Sequence, residues 1–312
     1  MNPEVQRAAE LLKRARLVAF PTETVYGLGA DASSAAAMER LYKVKGRPGD
    51  HPVIVHFPDA EAAFGWARDV PDQARKLAAR FWPGPLTLVL KRAANVGDFV
   101  TGGQDTVGLR VPVHPLAREL LAAFGGGLAA PSANRFGRVS PTTAQHVRDD
   151  LGDDVDMVLD GGPCGVGIES TIVDLSRGVP VLLRPGGVSV SELGAVLGVP
   201  VATPDAEAPR VSGSLPAHYA PRTPARLVAS EALDAELARF GTTAAVLAFS
   251  PPDERVDFWL RMPRDPGAYA QKLYAALREL DASGSALLLI ESPPAAPEWQ
   301  AVLDRLRRAA RD

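Results

Sequence analysis

The chain has 312 residues, of which 46% are hydrophobic and 23% charged, a composition that excludes disordered and fibrous classes. A formal net charge of −3 and a pI near 6.0 give no global basic field for non-specific nucleic-acid binding, so any cationic site must be local. The single cysteine, Cys164, excludes an intrachain disulfide framework and argues against a Cys-rich zinc site.

The length exceeds the roughly 100–200 residues of one usual domain, so two domains or one large α/β unit are expected. The first twenty residues lack a charged region followed by a long apolar one. No apolar run reaches the roughly 18–20 residues of a membrane span. A soluble protein of a reducing cytoplasm, without a membrane partner, is the expectation.

In chain order, residues 3–15 read as an amphipathic helix with Pro3 in its first turn, and "LVAF" (17–20) as a short buried strand. Helical and extended patterns then alternate. "SAAAMERLYKVK", "PDQARKLAARF", "PLARELLAAF", "TTAQHV" and "VSELGAVLG" have helical periodicity. "VIVHF", "LTLVLK", "TVGLRVP", "GLAAPS", "DMVLD", "STIVDL" and "PVLLRPG" read as strands. Because "STIVDL" and "PVLLR" follow one another without a helix, some pairing should be antiparallel. An α/β domain over residues 1–200 results.

Residues 201–224 turn proline-rich and aperiodic, which marks a linker. A second alternation over 225–312 predicts a small Rossmann-like α/β domain: "ARLVA", "EALDAELARF", "TAAVLAF", "DPGAYAQKLYAALRELDA", "SALLLIES" and "EWQAVLDRLRRAA". No GxGxxG follows its first strand, so dinucleotide binding there is unsupported.

Five polar segments punctuate the predicted strand ends of the first domain, where ligands of open α/β sheets gather. In "FPTETVYGLGADA", Thr22, Glu23 and Thr24 precede what reads as a tight Gly27/Gly29 turn; they could face a pocket or cap a helix. In "KGRPGDHPVIVH", Lys45 and Arg47 suit a polyphosphate or a solvated turn, while His51 and His56 read as structural by spacing alone. Arg110 in "TVGLRVP" and Arg184 in "LLRPG" lie in apolar strands, so each needs an anion from the protein or from a ligand. Glu169, Ser170 and Thr171 open a strand after the glycine-rich "GGPCGVG". "PSANRFGRVSP" (131–141) is too polar for core. Walker, GxSxG and HExxH patterns are absent, and Cys164 has no identifiable base beside it.

With "FWPGPLTLVL", these segments in this order resemble the YrdC family in its long, two-domain form, the threonylcarbamoyl-adenylate synthases. The resemblance covers about residues 5–200, and "HYAP" with the C-terminal unit is similar to the long form's second domain. It implies a YrdC-like twisted mixed sheet with flanking helices around a positively lined cavity. It also implies a nucleotidyltransferase that converts L-threonine, bicarbonate or CO2 and ATP, with Mg²⁺, into threonylcarbamoyl-AMP and pyrophosphate. A tRNA threonylcarbamoyl-transferase would then use the product for N6-threonylcarbamoyladenosine at position 37, and weak direct tRNA binding is a further expectation.

By position, the resemblance puts Thr24, His56, Arg110, Ala130 and Ser170 at L-threonine, with Arg110 on its carboxylate. It puts Lys45, Arg47, His51, Thr106, Ser132, Ser140, Arg184 and Tyr219 at ATP, with residues 201–224 as a lid. His51 stands where the family commonly has asparagine. No protein nucleophile or metal ligand is implied, and no general base is assigned, His56 and Glu23 being the candidates. A module that binds double-stranded RNA or tRNA, without adenylate synthesis, is the rival reading. A hydrogenase-maturation carbamoyltransferase would need zinc-finger cysteines that this chain lacks.

Overall fold

The computed structural model describes residues 2–213 and 218–310; residues 214–217 of the expected linker lie outside the described residues. Two compact units are present. The first comprises residues 2–136, 141–165 and 169–213, and the second residues 137–140, 166–168 and 218–310.

Among the described residues of the first unit, nine strands form one mixed sheet. They are β1 Val18–Phe20, β2 Gly27–Asp31, β3 Ile54–His56, β4 Leu86–Lys91, β5 Thr106–Arg110, β6 Leu128–Ala129, β7 Met157–Val158, β8 Thr171–Asp174 and β9 Val181–Arg184. Their order is β7-β1-β2-β6-β3-β5-β4-β8-β9. β3/β5 and β4/β8 are parallel, whereas β4/β5, β3/β6 and β8/β9 are antiparallel, the last as the missing helix between them requires.

Helices end where their capping chemistry says they should. Ala35–Lys45 starts at Ser34, whose hydroxyl accepts from Ala37 N, and stops at Gly46, whose φ of 63° suits glycine. Strand residues of one parity, including Val55, Leu88, Leu109 and Val173, join the main core.

The first polar segment departs from expectation. Gly27 and Gly29 are not in a tight turn but in β2, paired antiparallel with β1. A Cβ on Gly29 would lie 2.9 Å from Val18 O and 3.0 Å from the Phe20 ring, so close strand packing explains this glycine. No helix follows Thr24 for the threonines to cap. Thr22 Oγ1 instead accepts from Thr24 N and Val25 N at 3.2 Å, closing the turn between β1 and β2.

The second unit holds a parallel sheet of four strands among the described residues, in the order β10-β13-β11-β12. These are β10 Ala225–Val228, β11 Ala244–Ala248, β12 Phe258–Arg261 and β13 Leu287–Glu291. The fold is thus α/β with a large mixed sheet and a smaller Rossmann-like sheet. No helix among the described residues is long and apolar enough to cross a membrane.

Candidate functional site

Strand register assembles the site in the first unit. His56 pairs with Arg110, Arg110 with Thr87, Thr87 with Ile172, and Ile172 with Arg184. Residues opposite one another on neighbouring strands share a face. One transverse row therefore crosses β3, β5, β4, β8 and β9, about 19 Å at roughly 4.8 Å per strand. Ile54, Gly108 and Val89 form the next row on this face, and residues of the other parity fill the core.

Four cations, Lys45, Arg47, Arg110 and Arg184, are buried in this unit. Arg110 Nη2 meets Glu23 Oε1 at 2.6 Å, with both side chains nearly fully buried. Glu23 Oε2 also accepts from Val113 N at 3.1 Å, and Arg110 Nε donates to Gly84 O at 3.4 Å. A protein carboxylate therefore supplies the anion this strand arginine needed. Nη1 has no protein acceptor among the described residues.

His56 lies beside Arg110, buried, and its Nδ1 has no hydrogen-bond partner among the described residues. Burial and then the Arg110 charge push its pKa down to about 3, so the imidazole is neutral and a weak base at physiological pH. Ser170 precedes β8. Its hydroxyl shares a 2.8 Å hydrogen bond with Thr87 Oγ1, and its carbonyl accepts from Arg184 Nε and Nη2 at 3.1 and 2.9 Å. Thr24, fully buried, shares a 2.8 Å hydroxyl contact with Thr22. Ala130 N donates to Ile54 O.

Lys45 differs most from the polyphosphate expectation. Its ammonium donates to Ser132 O at 2.6 Å and Asn134 O at 2.7 Å, with Asn134 Oδ1 at 3.4 Å. Burial and then the nearby Arg47 hold its pKa well below the usual lysine range. The amine thus holds residues 131–136 in shape. The hydroxyls of Ser132 and Thr106 make no protein hydrogen bonds among the described residues, whereas His51 packs edge-on against Phe136, 5.4 Å between ring centres.

Residues 210–212 close this face. Arg184 Nη1 donates to Ser212 O at 2.8 Å, and both Arg47 terminal nitrogens lie 3.4 Å from Ser212 Oγ. Gln104 grips the backbone of Arg210 through its N–H (2.7 Å) and its carbonyl (3.0 Å). The cavity left between strap and sheet is about 20 Å³, room for about one water.

The polar loop 131–141 is divided between the units, and Ser140 and Tyr219 both belong to the second. There, Ser140 O accepts from Arg278 Nε, and Ala220 N donates to Gly137 O. Tyr219 is buried at φ 62°, an uncommon conformation for a bulky residue, with Tyr274 5.8 Å and the Arg305 guanidinium 5.2 Å from its ring.

Sequence reasoning passed over Thr87 and the Glu23–Arg110 pairing. The signal for Thr87 was a lone hydroxyl within "LTLVLK"; for the pair there was none, since the partners are 87 residues apart. Cys164 is buried, and burial followed by the Glu23 charge raises its thiol to about 12, in keeping with an unreactive loop residue.

A row carrying two buried arginines near strand ends of a mixed sheet has the features of sites that take small anionic ligands. The Sua5, YciO and YrdC family model, described as telomere recombination, matches residues 10–186. A model for the C-terminal domain of threonylcarbamoyl-AMP synthase matches 188–311. The threonylcarbamoyl-AMP synthase of Pyrococcus abyssi is 37% identical over 98% of this chain and 94% of its own. That of Bacillus subtilis is 38% identical over 99% and 93%. The crystal structure of P. abyssi Sua5 complexed with L-threonine matches with a TM-score of 0.91 at 36% identity, over 98% of this chain and 94% of that one. The chain belongs to the Sua5/YciO/YrdC family, among its two-domain threonylcarbamoyl-AMP synthases.

Proposed function

We propose that the chain joins L-threonine, bicarbonate or CO2 and ATP into threonylcarbamoyl-AMP and pyrophosphate, for N6-threonylcarbamoyladenosine at position 37 of tRNA. The observation that supports this reading is the row from His56 to Arg184, which sets two buried arginines, Arg110 and Arg184, on one face.

Threonine places its carboxylate on Arg110 Nη1, near the Nδ1 of neutral His56 and the hydroxyls of Thr24 and Ser170, with Ala130 bordering it. Its free amine attacks the carbon of CO2 and gives up a proton to solvent, or attacks that of bicarbonate with loss of water, and becomes a carbamate. A carbamate oxygen then attacks the α-phosphorus, and the bond from that phosphorus to the pyrophosphate oxygen breaks. Positioning and charge neutralisation suffice for this exchange, so no protein nucleophile is needed.

Arg47 and Arg184 neutralise the phosphates, Thr106 and Ser132 donate hydroxyls, and His51 borders the nucleotide. Mg²⁺ enters with ATP as part of the substrate. Lys45 acts through the loop it shapes, as a positioning residue. Since Arg47 and Arg184 now hold Ser212, residues 201–213 act as a lid that releases the arginines when ATP enters. The product passes to a tRNA threonylcarbamoyl-transferase, and a lone buried cysteine suits a reducing cytoplasm.

Pyrophosphate release from ATP, with threonine and bicarbonate omitted in turn, tests this reading. Release should need both, and turnover indifferent to threonine would sink it.

A further inference from the structure

The second unit carries a cavity of about 470 Å³ that the reaction above does not use. That volume lies within the range small organic ligands occupy. Its wall is built from residues that follow the parallel strands: Ser230 after β10, Phe249 after β11, Arg264 beyond β12 and Glu291 at the end of β13.

Parallel α/β sheets bind ligands at this edge, where adjacent strands send their connections to opposite faces. β10 and β13 are such neighbours. β10 leads into the helix Leu233–Phe240, whose Leu233 and Leu237 pack with Val246 and Leu289 on one face. β13 leads into the helix Gln300–Ala309, which packs with the helix Pro266–Asp281 and lies outside that cluster.

The lining is chemically selective. Glu291 is 8% exposed, and the one hydrogen bond its carboxylate makes among the described residues, from Phe249 N to Oε2 at 2.7 Å, leaves most of a carboxylate's acceptor positions open. No lysine or arginine pairs with it among the described residues. A buried carboxylate in that state seeks a cation. Arg264 lies 5.6 Å from the Phe249 ring centre and pairs with no carboxylate among the described residues.

Phe249 and Trp299 give the cavity an aromatic lining, with Tyr269 packed behind Trp299. Trp299 packs edge-on against Phe249 at 5.7 Å and against Tyr269 at 5.4 Å. The buried Tyr269 hydroxyl has no hydrogen-bond partner among the described residues. Two glutamates, Glu231 and Glu291, face this cavity against the one arginine, which disfavours a nucleotide's phosphates.

We propose that this cavity is a second small-molecule site, for a zwitterionic α-amino acid with a large apolar side chain. The ammonium rests on Glu291, the carboxylate on Arg264, and the side chain against Phe249 and Trp299.

Calorimetry on the full chain tests the assignment with L-phenylalanine, phenethylamine, which lacks the carboxylate, and 3-phenylpropionate, which lacks the ammonium. L-Phenylalanine should bind saturably and each truncated probe about tenfold more weakly or worse, as should L-phenylalanine to Glu291→Gln and to Arg264→Ala. The amide of Glu291→Gln keeps an acceptor for Phe249 N, and Arg264 is exposed, so both variants should fold, which their melting curves check. Excess L-threonine should leave L-phenylalanine binding in place. The proposal is overturned by no saturable binding of L-phenylalanine, L-tyrosine, L-leucine or L-methionine at about 10 mM, where even millimolar affinities register. Unchanged affinity in both variants, displacement by threonine, or preference for adenosine would overturn it equally.

Discussion

Replacing Arg110 by methionine separates the two demands placed on this arginine, a stability demand from Glu23 and a ligand demand from threonine. The pair is 2.6 Å apart and its side chains are 5% and 10% exposed, so removing the cation strands a carboxylate in the interior. Breaking such a pair costs about 3–5 kcal/mol. In a unit of this size that lowers the melting temperature by about 6 to 20 °C. Adding Glu23→Gln removes the stranded charge, and most of the loss should return, because neutral replacement of a buried pair is often close to neutral.

Threonine binding should behave differently. A hydrogen bond to a charged group contributes about 1.5–3 kcal/mol, so both the single and the double variant should bind threonine about 10- to 150-fold more weakly. ATP affinity should change far less. Melting curves read the first quantity and calorimetry with threonine or ATP the second. Equal losses of threonine and ATP binding, or threonine binding restored in the double variant, would refute the assignment of Arg110 to the carboxylate.

Gln104→Ala removes two hydrogen bonds to the Arg210 backbone, each contributing about 0.5–1.5 kcal/mol. Amide exchange at residues 208–213 should quicken; unchanged exchange would contradict the strap's anchoring. His56 remains neutral in the fold down to about pH 3, whereas in the unfolded chain it takes up a proton below about 6.5. Stability is therefore unaffected by His56 above that pH and falls as pH drops from about 6.5 towards 3, by at most about 1.4 kcal/mol per unit. His51 and His114, also lowered by burial, add in the same direction. His56→Gln should flatten the dependence between pH 7 and 5, which denaturant melts across that range would detect. Cys164 should resist a disulfide thiol reagent at pH 8 in the folded chain and react on unfolding; fast reaction in the native state would contradict its buried, protonated thiol.

The elements that the sequence made legible are those whose cause is local. Amphipathic helices and apolar strands declare themselves by period, and the antiparallel β8/β9 pair by the lack of a helix between its strands. β2 was hidden because its glycines resemble turn residues, and only the approach of Phe20 and Val18 explains them. β12, "FWLR", sits at a sheet edge with three half-buried residues and one exposed, so it carries no alternation to read. In the site, Arg110 and Arg184 stood out as cations in apolar strands. Their common row, and Thr87 within it, depends on register between strands distant in the chain. Lys45 presented a charge to sequence reasoning, but its carbonyl partners become visible only when residues 131–136 fold around it.

Identification of the adenylate product decides which group of threonine reacts. With Arg110 on the threonine carboxylate, the amine side reacts, so mass spectrometry after incubation with ¹³C-bicarbonate should find threonylcarbamoyl-AMP carrying the label. Threonyl-AMP without the labelled carbon would mean that the carboxylate itself reaches the α-phosphorus, and would contradict the account.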